Sequence, residues 1–191
     1  MRLLIQSTEL RRLLATVAPI APKKASNPVE SCILLQAHEG GLRATATDKG
    51  MTYLGNFSAN VEIPGEVAID AANALQVAKV LPNDVVSVQL GENFRVDVKC
   101  GKSAYKLAGQ AATDFPPAPP LDTKGVLTID AADLRKIIDQ THFSIAPDDN
   151  RYGLNGAHLD AVDAPAGRIL RMVSTDGNRL SWAQAPFTGT L

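Results

Sequence analysis

Val126-Leu127-Thr128-Ile129-Asp130-Ala131-Ala132-Asp133-Leu134-Arg135-Lys136-Ile137-Ile138 runs from an aliphatic strand, through an acidic cap, into an amphipathic helix. The same order occurs twice before it. Leu3-Leu4-Ile5 leads into Ser7-Thr8-Glu9-Leu10-Arg11-Arg12-Leu13-Leu14-Ala15-Thr16-Val17, and Val67-Ala68-Ile69 leads into Asp70-Ala71-Ala72-Asn73-Ala74-Leu75-Gln76-Val77-Ala78-Lys79-Val80-Leu81-Pro82. The starts lie about 60 residues apart, so the chain holds about three units of one strand-helix-strands plan. Each helix is expected to start on a Ser or Asp cap and to run for about three turns.

Leu10, Leu13, Leu14 and Val17 fall at i, i+3, i+4 and i+7, and Leu134, Ile137, Ile138 and Thr141 repeat the spacing. Such a stripe packs on a sheet. Arg11-Arg12 and Arg135-Lys136 hold one place in the two helices, directly after the first core leucine; Lys79 is the one cation of the middle helix. A single pair reads as a solvated helix face. Its recurrence at an equivalent position counts equally for a shared role.

Between the helices the pattern is β. Cys32 to Ala37, a Glu39-Gly40-Gly41 turn and Leu42 to Thr47 read as one hairpin. Val85 to Leu90, a Gly91-Glu92-Asn93 turn and Phe94 to Val98 read as a second, with a further strand at Ser103 to Ala108. Asp114-Phe115-Pro116-Pro117-Ala118-Pro119-Pro120 cannot pair in a sheet and runs extended. A first domain of two units is therefore expected over residues 1–120, a linker over 121–125, and the first part of a second domain over 126–191.

The 191 residues carry 19 Lys+Arg against 20 Asp+Glu, a net charge of −1, which excludes binding to nucleic acid through a bulk positive field. Aromatic residues at 5% are too few for a base-stacking platform, while 45% hydrophobic residues can build a core. The N-terminal stretch is broken by Glu9, Arg11 and Arg12 and is no signal peptide. Without an apolar run of roughly 18 residues, a soluble, cytoplasmic protein is expected. Cys32 and Cys100 stand apart with no CxxC, consistent with two buried thiols in a reducing compartment.

Signals for chemistry are weak. Gly101-Lys102-Ser103 suggests a phosphate loop, but Val96 stands where that motif needs its first glycine. His38, His142 and His158 are scattered, no GxSxG is present, and Asp148-Asp149 beside Pro147 reads as a loop. No metal, cofactor or catalytic residue is expected. Two segments stand out: Thr141-His142-Phe143-Ser144-Ile145-Ala146 on through Arg151 to Asn155-Gly156, and Val173-Ser174-Thr175-Asp176-Gly177-Asn178-Arg179-Leu180-Ser181. The second is echoed by Ala46-Thr47-Asp48-Lys49-Gly50-Met51. Each Thr-Asp pair is read as turn chemistry, with the carboxylate accepting backbone N–H groups. A hydrolase using Asp48 or Asp176 is the remote alternative.

On these residues the sequence resembles the N-terminal half of the bacterial DNA polymerase III beta subunit, the replication sliding clamp. The likeness runs through all 191 residues in order, including Pro28 to Leu35, Leu81-Pro82, Tyr105-Lys106-Leu107-Ala108 and Asp114-Phe115-Pro116. It implies an α+β clamp fold: repeated domains with sheets outside and helices lining a ring around duplex DNA. It implies a non-catalytic processivity factor, its three-domain chains closing head to tail as a homodimer. By position, Arg151, Leu154, Thr175, Gly177, Asn178, Arg179 and Leu180 match the pocket into which the polymerase, clamp loader and other clamp-motif proteins insert a short peptide. Lys24 matches a DNA-touching loop residue, and Arg11, Arg12, Arg135 and Lys136 are the further DNA-facing candidates. Tyr105 and Leu107 match the edge strand of the dimer contact. Asn178, Gly153 and Pro147 depart from the pattern, standing where relatives often carry His, an aromatic, and a polar or basic residue. The rest of the second domain and the third are missing from the match. The alternative is a clamp fragment or short paralogue acting only as a peptide-binding module.

Overall fold

The computed structural model describes residues 1–23, 25–118, 126–147, 153–165 and 167–189. The chain divides into units spanning residues 1–120 and 121–191. The linker segment 121–125, Lys24, Asp148, Asp149 and Arg151 lie outside the described residues.

The first unit runs β1 (Arg2–Gln6), α1 (Ser7–Val17), a 3-10 turn (Pro28–Ser31), β2 (Cys32–His38), β3 (Gly41–Thr47), β4 (Thr52–Phe57), β5 (Asn60–Ile63), β6 (Gly65–Asp70), α2 (Ala71–Val80), β7 (Val85–Leu90), β8 (Arg95–Cys100) and β9 (Ser103–Gln110). Its strands form one sheet in the order β4-β3-β2-β6-β9-β8-β7-β1-β5. The two end strands, β4 and β5, are joined only by Ser58 and Ala59, so the sheet curls round on itself. Inside the curl lie α1 and α2. The α1 stripe is buried as its periodicity requires, and α2 offers the small buried face Ala71, Ala74 and Ala78, which lets the two helices approach closely.

The unit is two copies of one plan. Strand β1 leads into α1 and then β2; strand β6 leads into α2 and then β7. Pairing crosses between the copies, β1 with β7 and β6 with β2, both antiparallel. The two halves are thus related by an approximate two-fold axis between the helices.

Local chemistry sets the helix ends, with one departure from expectation. Asp70 Oδ1 accepts the Asn73 N–H at 2.8 Å, a working N-cap. Ser7 is not a cap: Gln6 holds that position without a side-chain bond, and the buried Ser7 hydroxyl accepts the Asp84 N–H at 3.3 Å. A second departure concerns Arg11. Its Nε donates to Ala78 O at 3.1 Å, one terminal nitrogen donates to Leu81 O, and the other to Asn83 Oδ1 at 2.6 Å. It satisfies carbonyls that the end of α2 leaves without helical partners. Replacing Arg11 by alanine strands these part-buried oxygens and is expected to cost about 1–3 kcal/mol in urea unfolding of the first unit. Lysine, with no planar fork, is expected to recover only part of it.

The strands β4 and β5 escape the sequence reading, because Gly55 and the Ser58-Ala59 link interrupt alternation. Strand β9, expected as an edge, lies inside the sheet order. It pairs with β8 from Ser103 to Ala108 and with β6 only at Gly109 and Gln110. Among the described residues, the other side of the Ser103–Ala108 stretch is therefore unpaired. Leu107 turns its side chain into the core, and Tyr105 is half-buried.

The second unit repeats the opening of the plan: β10 (Leu127–Thr128), α3 (Ala131–Thr141), β11 (His158–Ala164), β12 (Gly167–Thr175), β13 (Leu180–Pro186) and β14 (Thr188–Gly189). Strands β11, β12 and β13 form an antiparallel sheet, and β10 pairs β14 as β1 pairs β5. Asp130 Oδ1 caps α3 through the Ala132 N–H at 2.8 Å. The core gathers Ile137, Leu170, Ala183, Ala185 and Phe187. Here the expected stripe narrows: Ile137 and Thr141 are fully buried, Leu134 is half-buried, and Ile138 is exposed. No described helix is long and apolar enough to cross a membrane.

Candidate functional site

Three hydroxyl contacts fix the end of α3, two of them to the sheet. Thr141 Oγ1 donates back to Ile137 O at 2.7 Å, Ser174 on β12 donates to Thr141 O, and Ser144 shares a 2.6 Å bond with Ser181 on β13. These serines face the helix side of the sheet. By strand alternation, Val173 and Thr175 on β12 and their partners Trp182 and Leu180 on β13 face away from α3. The Ala146 N–H donates to Leu154 O at 3.1 Å and holds the incoming loop.

The result is a cleft of about 310 Å³ lined by Gly153, Leu154, Gly156, Ala157, His158, Val173, Ser174 and Thr175. Of the seven pocket candidates, Leu154 and Thr175 line it. Gly177, Asn178, Arg179 and Leu180 form the adjoining turn, and Arg151 is outside the described residues. Leu180 is 62% exposed and Trp182 58% exposed, side by side on the same face.

The turn is self-organised. Thr175 Oγ1 donates to Arg179 O at 2.7 Å and accepts the Gly177 N–H at 3.1 Å; Asp176 Oδ1 accepts the Asn178 and Arg179 N–H groups, each at 3.0 Å. Those two amides pull the Asp176 carboxyl below its ordinary value. Gly177 sits at φ +86°, left-handed backbone that a side chain would strain. Arg179 donates to Asp176 Oδ2 at 2.9 Å and lays its guanidinium 5.7 Å from the centre of the Phe143 ring. Gly153 also has a left-handed backbone, φ +66°, which a glycine adopts without strain.

The first unit repeats this turn bond for bond. Thr47 Oγ1 donates to Met51 O at 3.1 Å and accepts the Lys49 N–H at 3.2 Å, while Asp48 Oδ1 accepts the Gly50 and Met51 N–H groups at 3.0 and 2.6 Å. Both carboxylates that a hydrolase would need are thus engaged with backbone amides. Because the Asp176 carboxyl is held below its ordinary value of 3.8, its contribution to the turn is complete above that value. It is lost as pH falls through the depressed one. Faster amide exchange at Asn178 and Arg179 below that range is expected, and Asp176→Ala is expected to show it at neutral pH; unchanged exchange in the variant would count against the turn's dependence on this side chain.

The cationic candidates divide. Arg11 is committed to the end of α2. Arg12 is exposed yet held: its Nε donates to Glu9 at 2.8 Å, a second nitrogen bonds the same carboxylate, and the guanidinium lies 5.0 Å from the Phe57 ring centre. That bond lowers the Glu9 carboxyl, which also accepts the Ser58 N–H. Arg135 is open, its side chain 84% exposed with Asp139 at 3.7 Å, and Lys136 is exposed. The buried thiols are pushed up by desolvation, Cys32 to about 11. Among the described residues, no cluster of His, Cys, Asp and Glu could hold a metal.

The sequence reading missed the Phe143 platform and the exposed Trp182. Phe143 lies in the Thr141–Ala146 run, but nothing in the sequence marks it as Arg179's partner, 36 positions away. Trp182 alternates in phase with Leu180, which was a usable sign.

Residues 1–119 match the family model of the DNA polymerase III beta subunit N-terminal domain, and residues 128–190 match that of its central domain. The beta sliding clamp of Caulobacter vibrioides is 30% identical over 188 residues, 97% of this chain and 50% of that protein. That of Pseudomonas aeruginosa is 34% identical over 182 residues, 95% of this chain and 48% of its own. Among solved structures, the DNA polymerase sliding clamp from Caulobacter crescentus superposes with a TM-score of 0.86 at 30% identity, covering 97% of this chain and 51% of that one. A Pseudomonas aeruginosa clamp bound to griselimycin gives 0.86 at 31% identity, covering 97% and 50%. The chain spans about half the length of the relatives it matches. With both domain models in order and the clamp fold around them, the chain belongs to the DNA polymerase III beta subunit family, the bacterial beta sliding clamps.

Proposed function

We propose that this chain serves in a DNA sliding clamp, a processivity factor without catalysis of its own, in the cytoplasm. The ring of which it forms part encircles duplex DNA regardless of sequence and tethers the replicative polymerase, the clamp loader and other clamp-motif proteins. The observation that carries the reading is the Leu154–Thr175 cleft with the exposed Leu180 beside it, an apolar hollow next to backbone and hydroxyl groups that can orient a peptide. Gly177, Asn178 and Arg179 shape its rim, and Arg151 is assigned to the same pocket by its sequence position. Arg12, Arg135, Lys136 and Lys24 face DNA, giving weak phosphate contacts that let the ring slide. Arg11 supports that surface from below by fixing α2. The unpaired side of β9 at Tyr105 to Ala108 continues a sheet across the ring's subunit boundary, where a second protomer closes the homodimer.

The test loads the protein on nicked circular DNA. Retention on the circle and release when it is linearised are the expected results. Loss from the intact circle overturns topological linkage.

A further inference from the structure

We infer that Arg171 and Trp182 form a subsite for an acidic side chain on the peptide that the neighbouring cleft receives. This rests on the peptide-pocket reading above and adds to it the chemistry of a peptide residue beside the anchors.

The sheet of the second unit fixes the layout. On its face away from α3, one cross-strand row is His158, Val173 and Trp182, and the next is Asp160, Arg171 and Gln184. His158 and Val173 line the cleft, so Arg171 stands one row beyond it. From Thr175 to Arg171 is four steps along β12, about 13 Å, a distance that an extended peptide covers in four residues.

Arg171 lacks what its neighbours have. The other described arginines of the second unit each hold a carboxylate: Arg135 with Asp139 at 3.7 Å, Arg168 with Asp163 at 3.2 Å and Arg179 with Asp176 at 2.9 Å. Among the described residues Arg171 closes no such pair, although Asp160 is its cross-strand neighbour. Its Nε is buried without an acceptor, a costly state for a donor. The guanidinium lies instead over the Trp182 indole, 5.8 Å from the ring centre. Stacked there, it keeps its charge and planar fork, and an arriving carboxylate supplies the acceptor that the fold does not.

The first unit shows the same place satisfied. Counted from the two Thr-Asp turns, Arg43 corresponds to Arg171, and its Nε donates to Asn56 Oδ1 at 3.3 Å across the strands. In the second unit Gln184 stands at the place of Asn56, and Trp182 at the place of Leu54. Each set lies within three adjacent strands, so the difference comes from these side chains themselves. Leu54 is 50% exposed, so this face of the sheet is open in the first unit as well. Asp160, exposed beside Arg171, repels an anion that brings no anchors, which reserves the subsite for a peptide already seated in the cleft.

Calorimetric titration of the 191-residue chain with paired peptides tests this. The members of a pair share the Gln and Leu or Phe anchors and differ in one flanking residue, Glu or Gln, three or four positions away, with one pair for each side of the anchors. On one side the Glu member is expected to bind about fivefold more tightly at low salt, and the preference should fade as salt rises. Arg171→Gln is expected to bring that ratio near one. Arg171→Glu is expected to turn the preference toward a Lys member, a reversal that an unfolded chain cannot give. Leu180→Ala should lower both affinities and keep their ratio. Equal binding of both members on either side of the anchors overturns the subsite and leaves the pocket standing, as does a preference that survives Arg171→Gln. Failure of every peptide to bind removes the pocket, and the subsite with it.

Discussion

Replacing Gly109 by alanine is expected to destabilise the first unit by about 3–5 kcal/mol, at the top of the range for single substitutions. A Cβ at this position would lie 2.5 Å from Phe94 O, 3.0 Å from Ala68 O and 2.8 Å from Val67 Cγ2. Two of these atoms are backbone. Neither has room to retreat: Ala68 is held in β6, itself paired with β2, and Phe94 lies in a left-handed backbone, φ 57°, directly before β8. Gly109 is also where β9 joins its two halves of the sheet, through the pairing of Ile69 with Gly109. Shifting the strand to admit a methyl group therefore opens the join between β6 and β8. Against a typical total of 5–15 kcal/mol, such a loss leaves a small or negative margin. Urea unfolding followed by far-UV circular dichroism measures it, and a cost below about 1 kcal/mol would show that the join is adaptable.

What the sequence revealed follows how local each interaction is. The α1 stripe, the Asp70 and Asp130 caps and the two Thr-Asp turns all close within a few residues. Period, cap and turn chemistry therefore identified them in advance. Arg11 shows the opposite case. Its partners lie about 70 positions downstream, so a helix cation that looked solvated was in fact the fastening of a helix pair. The curl of the sheet was equally hidden, because it depends on β5 crossing from β4 to β1, and neither β4 nor β5 alternates cleanly. Ile138 was misread for another reason. The repeat assigned it to a core, but among the described residues of the second unit nothing covers it. Of the candidate site, the turn was legible to the residue, while the cleft needed the loop at Leu154 brought against β12 from across α3 and β11.

Truncating Leu154 and Leu180 together is expected to weaken binding of a short peptide with Gln and Leu or Phe anchors by well over ~tenfold, while folding is unchanged. Leu180 is mostly exposed and lies outside the core cluster of its unit, so its truncation should move stability by no more than about 0.5 kcal/mol. Leu154 is half-buried at the cleft wall and lies on a loop, outside the same core. Both offer their apolar surface to a ligand rather than to the fold. Because they contact one peptide, the two losses should not add: the double variant should fall short of the summed single effects. The chain holds one tryptophan, Trp182, which shares a face with Leu180 and stands two residues from it along β13. A peptide seated there removes water from the indole, already flanked by the Arg171 guanidinium 5.8 Å from its ring centre. Intrinsic fluorescence should therefore shift to shorter wavelength on titration with unlabelled peptide, and the shift should vanish in the double variant. A double variant that binds as the parent does would place the peptide elsewhere on the chain and remove the pocket assignment. Absence of a shift in the parent, with binding still lost in the double variant, would instead keep the pocket and move the peptide off the Trp182 face.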